Sequence, residues 1–302
     1  MEDMAGARAM GWRAPGHERG RMAVIRWLLA FALGGALSAC ASLTGVEEAG
    51  SSPAPAIVLK LDDFRADGGI HPGWEEVFRF LEAQDVTATI GVIGEGLEEP
   101  RQEAVDWLLA RDARGHELWN HGYCHCRSGE GAAQVREFRG RSLAEQQAAI
   151  ARTQYLGERV LGITFSTFGA PYNSTDANTA RVLADRDDVR VWMYKDTSEE
   201  AAPSRKSPLP RIAAVNIEYP VHIPDFESFR AGYAAHRDEP VLVIQGHPRS
   251  WVDDPARMEE FRRIVMFLKA EGAQFVTPTE AVREREAATS ADGPPAAREA
   301  GR

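Results

Sequence analysis

Hydrophobic positions along this chain fall into short continuous runs separated by longer stretches with helical spacing. Residues 56–61, Ala-Ile-Val-Leu-Lys-Leu, form a run of strand length that ends at Asp62-Asp63. Helical spacing follows over 71–83, opened by His71-Pro72-Gly73. Residues 86–93 read as a second strand, with Gly94 and Gly96 turning the chain. Residues 100–113 read as a helix stopped by Gly115, and 117–119 as a third strand. A long helix is expected over 143–160, ended by Gly162, then a strand over 163–168. The pattern continues with a helix at 176–185 and a strand at 189–194. A polar loop at 196–210 and a strand at 211–218 follow. A helix near 226–235, a strand at 241–244, a helix at 255–270 and a strand at 274–276 complete it.

Strand and helix alternate throughout, which calls for a parallel sheet covered by helices. About seven parallel strands in one such domain favour a closed or nearly closed barrel over an open, doubly wound sheet. No Gly-x-Gly-x-x-Gly follows the first strand, so the main dinucleotide signal is absent.

The two ends differ in kind from this core. Five arginines precede or flank an apolar run from Trp27 to Leu37, and the run ends Leu37-Ser38-Ala39-Cys40. A basic start, a short apolar stretch and a small-residue cleavage site read as a secretory signal over 1–39. The run is too short and glycine-broken for a lasting transmembrane helix. Its ending resembles a bacterial lipobox, in which Cys40 becomes the lipidated first residue; Met22 as the start would give a more usual signal length. Residues 40–55 read as a flexible tether, 56–284 as the folded domain, and 285–302 as a disordered tail. No Asp follows Cys40, so in a diderm bacterium the expected location is the outer membrane, facing the periplasm.

Net charge is -10, and no basic run appears, which argues against nucleic acid as a partner. No protein partner is implied. Besides Cys40 there are only Cys124 and Cys126, too close together for an unstrained disulfide, so none is expected.

The candidate chemistry centres on residues 115–126. His121 and His125 lie four apart, a spacing that turns both imidazoles the same way in a helix or tight turn. Gly122 stands where a metalloprotease helix would carry its glutamate, so a third ligand and a base must come from elsewhere. In barrels of this kind, chemistry gathers at the C-terminal ends of the strands. Those positions hold Asp62-Asp63, Asn120-His121, Pro171-Tyr172-Asn173, Lys195-Asp196 and Gln245-Gly246-His247. Taken singly, each reads as a cap, a turn or a hydrogen-bonded filler; five such groups at one rim point to an active site.

These segments resemble the motifs of the NodB-type polysaccharide deacetylases, carbohydrate esterase family 4. Leu61-Asp62-Asp63-Phe64 is similar to the first motif, Glu117 through His125 to the second, and 168–172 to the third. Asp196 and Trp192 are most like the fourth, and Leu242 through His247 like the fifth. The resemblance spans 56–280 in order and implies a distorted (β/α) barrel with one divalent metal. Zinc is the first expectation, with cobalt, nickel and manganese as others.

Carried over residue by residue, it implies Asp63, His121 and His125 as ligands and Asp62 as general base. The Tyr172 backbone N–H is implied as an oxyanion donor and His247 as the acid, with Asp196 assisting catalysis. Tyr172, Trp192 and Asn120 are implied to face the substrate. Trp119, Tyr194 and Trp251 could join Trp192 in a sugar-stacking wall, although core packing is the commoner role for each.

Two departures stand out. Gly169 occupies the place of the family's usual arginine beside the base, leaving Lys195 or Lys60 to supply the charge. Cys124 and Cys126 flank His125, where Cys124 reads as a small buried packer or, less readily, a thiolate ligand. The expectation is a lipid-anchored, metal-dependent deacetylase acting on an acetylated envelope or exported polysaccharide. The alternatives are a catalytically silent glycan-binding lipoprotein and a metal-dependent deacetylase of a small amide or ester.

Overall fold

A computed structural model describes residues 53–195 and 206–291. Cys40, the segment 1–39, nearly all of the tether and Asp196 lie outside the described residues.

Strand β1, Ala56–Phe64, organises the sheet. Ile57, Val58, Leu59 and Leu61 are all fully buried, as a central parallel strand requires when both of its faces are covered. One edge of β1 pairs with β9, Val241–Gly246, from Ala56 opposite Val241 to Leu61 opposite Gly246. The other edge pairs with β2, Thr89–Val92, beginning at Lys60 opposite Thr89. The short β10, Gln274–Phe275, pairs parallel with the first two residues of β1. From β2 the sheet continues in parallel through β3, Glu117–Asn120; β6, Thr167–Gly169; β7, Val191–Lys195; and β8, Ser207–Pro210. The result is a nearly closed, barrel-like sheet of eight strands, the short β10 among them. The Tyr194 hydroxyl of β7 donates across its interior to the Val243 carbonyl of β9 at 2.9 Å.

A small antiparallel hairpin, β4 (Arg127–Ser128) and β5 (Val135–Arg136), stands apart from this sheet. Sequence periodicity gave no sign of strands this short.

Helices α1 (Pro72–Ala83), α2 (Gln102–Asp112), α5 (Phe226–His236) and α6 (Pro255–Ala270) cover one side of the sheet. Their apolar faces form one large cluster that includes Trp74, Phe78, Trp107, Phe229, Phe261 and Trp251. Helices α3 (Leu143–Leu156) and α4 (Ala177–Ala184) enclose a second cluster around Phe138, Phe168 and Trp192. Local signals set the boundaries. His71 caps α1, with its Nδ1 accepting from Gly73 N at 3.2 Å, and Ser142 and Glu145 form a capping box on α3. Inside the barrel, Val58, Trp119, Val191, Met193 and Val243 pack together with Ala281 and Val282 of α7, Pro278–Ala291.

Two elements differ from the sequence expectation. The strand expected at 211–218 lies instead at β8, within the expected loop, and it carries Pro208 and Pro210. Ser207 N donates to the Arg190 carbonyl of the neighbouring strand at 3.0 Å. By alternation, the two proline nitrogens face the open edge, where no donor is needed. The C-terminal helix continues to Ala291, past the point at 285 where a tail was expected. No described helix is long and apolar enough to cross a membrane.

Candidate active site

The C-terminal end of β1 is bulged between Leu61 and Phe64, and Asp63 takes a left-handed backbone with φ +73. In a regular strand, consecutive side chains face opposite ways. The bulge turns both Asp62 and Asp63 into one cleft of about 470 Å³. His125, Tyr172 and Asn173, also on its walls, have φ values of +52, +58 and +50. Such concentration of left-handed backbone is what functional rims show when surrounding structure holds the strain.

His121 leaves the end of β3, and its Nδ1–H donates to the Gly169 carbonyl at 2.8 Å. That bond fixes the tautomer and directs the Nε2 lone pair toward Asp63, an arrangement common to histidines that hold metals. Asp63 Oδ1 lies 3.1 Å from His121 Nε2 and 3.0 Å from His125 Nε2. Burial opposes a charge on Asp63, yet hydrogen bonds and charge from His121 and His125 hold its carboxyl well below the usual carboxylate range. One carboxylate oxygen and two imidazole nitrogens, all within 4.8 Å of one another, are the donor set of an open catalytic site. The residues therefore fit a divalent cation.

The loop that presents His125 is held from behind by Glu137. Its two oxygens accept from Tyr123 N and, at 2.6 Å, from His125 N. Burial raises the Glu137 pKa, against those backbone donors. Gly122 makes the turn at φ +72, where a Cβ would meet Glu137 Oε1 at 2.8 Å and Pro171 Cγ at 2.9 Å. Tyr172 OH donates to the His125 carbonyl at 2.8 Å, and the two rings lie 4.3 Å apart.

Cys124 and Cys126 are joined in a disulfide across His125, contrary to the sequence expectation. The left-handed backbone of His125 folds the segment back and sets the two Cα atoms 5.1 Å apart, within the ordinary range. Neither the packing role nor the thiolate role read for Cys124 applies to a bonded sulfur.

Asp62 is nearly inaccessible and lies against Lys60, whose Nζ is 2.7 and 2.6 Å from its two oxygens. Gln245 Nε2 donates to Asp62 Oδ2 at 2.5 Å, and Gln245 Oε1 accepts from Asn173 Nδ2 at 2.8 Å. Lys60 is fully buried between the rings of Trp119 and Tyr194. Burial lowers its pKa, and Asp62 opposes that shift. A Cβ at Gly169 would stand 2.8 Å from Trp119 Cζ3 and 3.4 Å from Lys60 Cε. The missing side chain on β6 and the cation on β1 are thus two halves of one arrangement. Of the two lysines read as candidates, Lys60 supplies the charge.

His247 follows β9, and its Nδ1 lies 2.7 Å from Glu218 Oε2. Glu218 is buried and also accepts from the backbone N of His247 and of His222, and from Trp251 Nε1. Burial works against an imidazolium at 247, but the hydrogen bond and charge of Glu218, with Asp62 and Asp63 behind it, raise the His247 pKa. His222, beside it, has its pKa lowered by burial and by His247. Glu218, His222 and His247 form a second possible ligand trio, but both Glu218 oxygens are already committed to N–H donors.

Asp62, Asp63, His125, Tyr172 and His247 therefore line one cleft, with His121 just behind. Asn120 does not face it. Its amide donates to Gln154 at 3.0 Å and accepts from Gly122 N at 3.0 Å, so it braces the histidine loop from within the core. Trp192 is buried against Phe138 and Phe168, because alternation along β7 sends Val191 and Met193 into the barrel and Trp192 outward under the helices. Trp119 and Trp251 are likewise fully buried, and no sugar-stacking wall exists among the described residues. Sequence reasoning missed Glu218 and Glu137, and it placed Gln245 at the rim without giving it a role. A lone acid after the apolar Ile217 was the available signal for Glu218.

Residues 49–188 match the sequence model of the polysaccharide deacetylase family. No curated protein sequence matches the chain. Among solved structures, it is similar to a family 4 acetyl xylan esterase from Clostridium thermocellum in complex with a cobalt ion. The identity is 19%, over 76% of this chain and 92% of that one, with a TM-score of 0.53. It is also similar to the peptidoglycan deacetylase PdaC of Bacillus subtilis, at 16% identity over 79% and 96% of the two chains, TM-score 0.52. The allantoinase Puue shares the fold at 16% identity over 83% and 98%, TM-score 0.57.

Proposed function

We propose that this chain, whose residues 49–188 match the polysaccharide deacetylase model, is a metal-dependent hydrolase acting on an acetylated polysaccharide. N-acetyl groups of an envelope or exported glycan are the first choice of substrate. The observation that carries this reading is the convergence of two imidazole nitrogens on one oxygen of Asp63, with Asp62 beside them. The cobalt ion in the similar acetyl xylan esterase supports the metal.

A divalent cation held by Asp63, His121 and His125 would supply Lewis acidity, polarising a carbonyl and easing ionisation of water. Asp62, kept in place by Lys60 and Gln245, takes the proton from the attacking water as general base. The Tyr172 backbone N–H donates to the developing oxyanion. His247 holds its Nδ1 on Glu218, which leaves Nε2 to deliver a proton to the departing nitrogen. Base and acid thus carry different partners, a carboxylate on an ammonium and an imidazole on a carboxylate, as opposite starting protonation demands.

The catalytically silent reading was motivated by the missing arginine, and Lys60 removes that motive. Fold likeness to an allantoinase keeps a small amide substrate as the second reading. The test is acetate release by the zinc-loaded protein from chito-oligomers, cell-wall fragments and small acetylated amides. Release from glycans supports the proposal; turnover of small amides alone overturns it in favour of the second reading. Export and anchoring at Cys40 are part of the same proposal. Palmitate labelling that survives Cys40→Ser would refute the anchor.

A further inference from the structure

We propose that the cleft selects an acidic glycan, one carrying a carboxylate or phosphate next to the acetylated sugar, through Arg127, Arg136 and Arg211. The location rests on the deacetylase reading of the cleft; the charge argument does not.

Four arginines line this cleft, the three named and Arg249, in a chain whose net charge is -10. Arg249 Nη2 lies 3.3 Å from Asp63 Oδ2. Arg127, Arg136 and Arg211 have no carboxylate partner among the described residues; Arg136 Nε donates to Gln134 at 3.1 Å. Arg127 and Arg136 face each other directly across the β4–β5 hairpin, a like-charge placement that costs stability when nothing lies between. Both guanidiniums instead lean over the same Tyr172 ring, at 5.8 and 5.4 Å from its centroid. The Tyr172 ring lies 4.3 Å from that of His125, tilted by 52°, so the pair stands one aromatic ring from an imidazole of the candidate cation site. On another wall, Arg211 lies 5.7 Å over Tyr194.

The cleft's own acids do not cancel these charges. Asp62 is neutralised by Lys60, and Asp63 is the carboxylate of the cation site. Planar guanidiniums in pairs suit the two oxygens of a carboxylate or phosphate. A neutral glycan is held chiefly by aromatic faces and hydroxyl contacts, yet Trp119, Trp192 and Trp251 are all buried in the core. Tyr172 is the one tyrosine, phenylalanine or tryptophan ring lining the cleft among the described residues, and two of the arginines already lean over it, so charge dominates what the cleft presents.

Calorimetric titration of the zinc-loaded protein tests this with matched ligands. One pair is a hyaluronan hexasaccharide and the same oligosaccharide with its carboxylates reduced to alcohols. The other is chitohexaose phosphorylated at O6 and plain chitohexaose. The acidic member of at least one pair is expected to bind about tenfold tighter or better, and the pair that responds identifies carboxylate or phosphate. In Arg127→Gln/Arg136→Gln the preference is expected to collapse; Arg211→Gln reports the same if the hairpin variant does not fold. Equal binding within both pairs, or an undiminished preference in both variants, would overturn the proposal. A preserved acidic preference with no acetate release from any glycan would support charge selection and count against the deacetylase reading alone.

Discussion

Replacing Lys60 with Met should disable the cleft through Asp62. The Lys60 ammonium lies 2.6 and 2.7 Å from the two Asp62 oxygens, and neither side chain has appreciable exposure. Methionine fills nearly the same volume, so packing against Trp119 and Tyr194 is largely kept. What is lost is the counter-charge of a buried carboxylate, whose remaining side-chain donor is Gln245 Nε2 at 2.5 Å. Breaking one half of a buried pair costs about 3–5 kcal/mol. The orphaned carboxylate either bears that cost or takes up a proton, and a protonated Asp62 is no longer a base. Urea unfolding should therefore show a loss in that range, and saturated acetate release should fall by about a hundredfold or more. The double variant Lys60→Met/Asp62→Asn should regain much of the lost stability, because no unpaired charge is left, while staying inactive. A Lys60→Met protein within about 1 kcal/mol of wild type and fully active would refute this account of the pair.

Other consequences are as direct. Glu218→Gln should move the alkaline limb of kcat/KM to lower pH, since Glu218 helps raise the His247 pKa and the acid must be protonated to act. By linkage, that pair's contribution to stability is complete below the ordinary histidine pKa and is lost as pH rises through the raised one, so Tm should decline over that interval in wild type only. His116 is buried beside Ala88 N with its pKa pushed down to about 4 from 6.5. Between those values the unfolded chain binds the proton and the folded chain does not, so stability should fall by on the order of 3 kcal/mol as pH drops through that range. His116→Asn should flatten the dependence seen by urea unfolding. Gly122→Ala should cost about 1–2 kcal/mol from the left-handed backbone alone. It should also weaken metal binding measured by competition with a chelator, because the new Cβ would displace Glu137 from the histidine loop.

The strand–helix alternation and the polar ends of the strands were open to reading, because a buried parallel strand leaves an apolar run and its end leaves a polar one. Asp62-Asp63, His121, Tyr172 and His247 were found that way. Asn120 and Trp192 were misplaced because the pleat, not position in a motif, decides which way a side chain leaves a strand. Strand β8 was missed because two prolines read as loop, and only its place at the sheet edge makes them tolerable. Glu218 and Glu137 act across long sequence separations, 29 residues from His247 and 12 from His125, which no local pattern encodes. The disulfide depended on one left-handed residue between two cysteines. Lys60 and Lys195 were both readable as sources of the charge beside Asp62, and the choice between them was visible only once Gly169 and Lys60 were seen side by side.

The central claim is that Asp63, His121 and His125 hold one cation while Asp62 does the chemistry beside it. Elemental analysis of purified wild type, Asp63→Ala and Asp62→Asn, each assayed in parallel for acetate release, addresses it most directly. The account predicts a single divalent ion per chain in wild type and Asp62→Asn, none in Asp63→Ala, and turnover in wild type alone. Metal retained at wild-type level by Asp63→Ala, or undiminished turnover by Asp62→Asn, would contradict it.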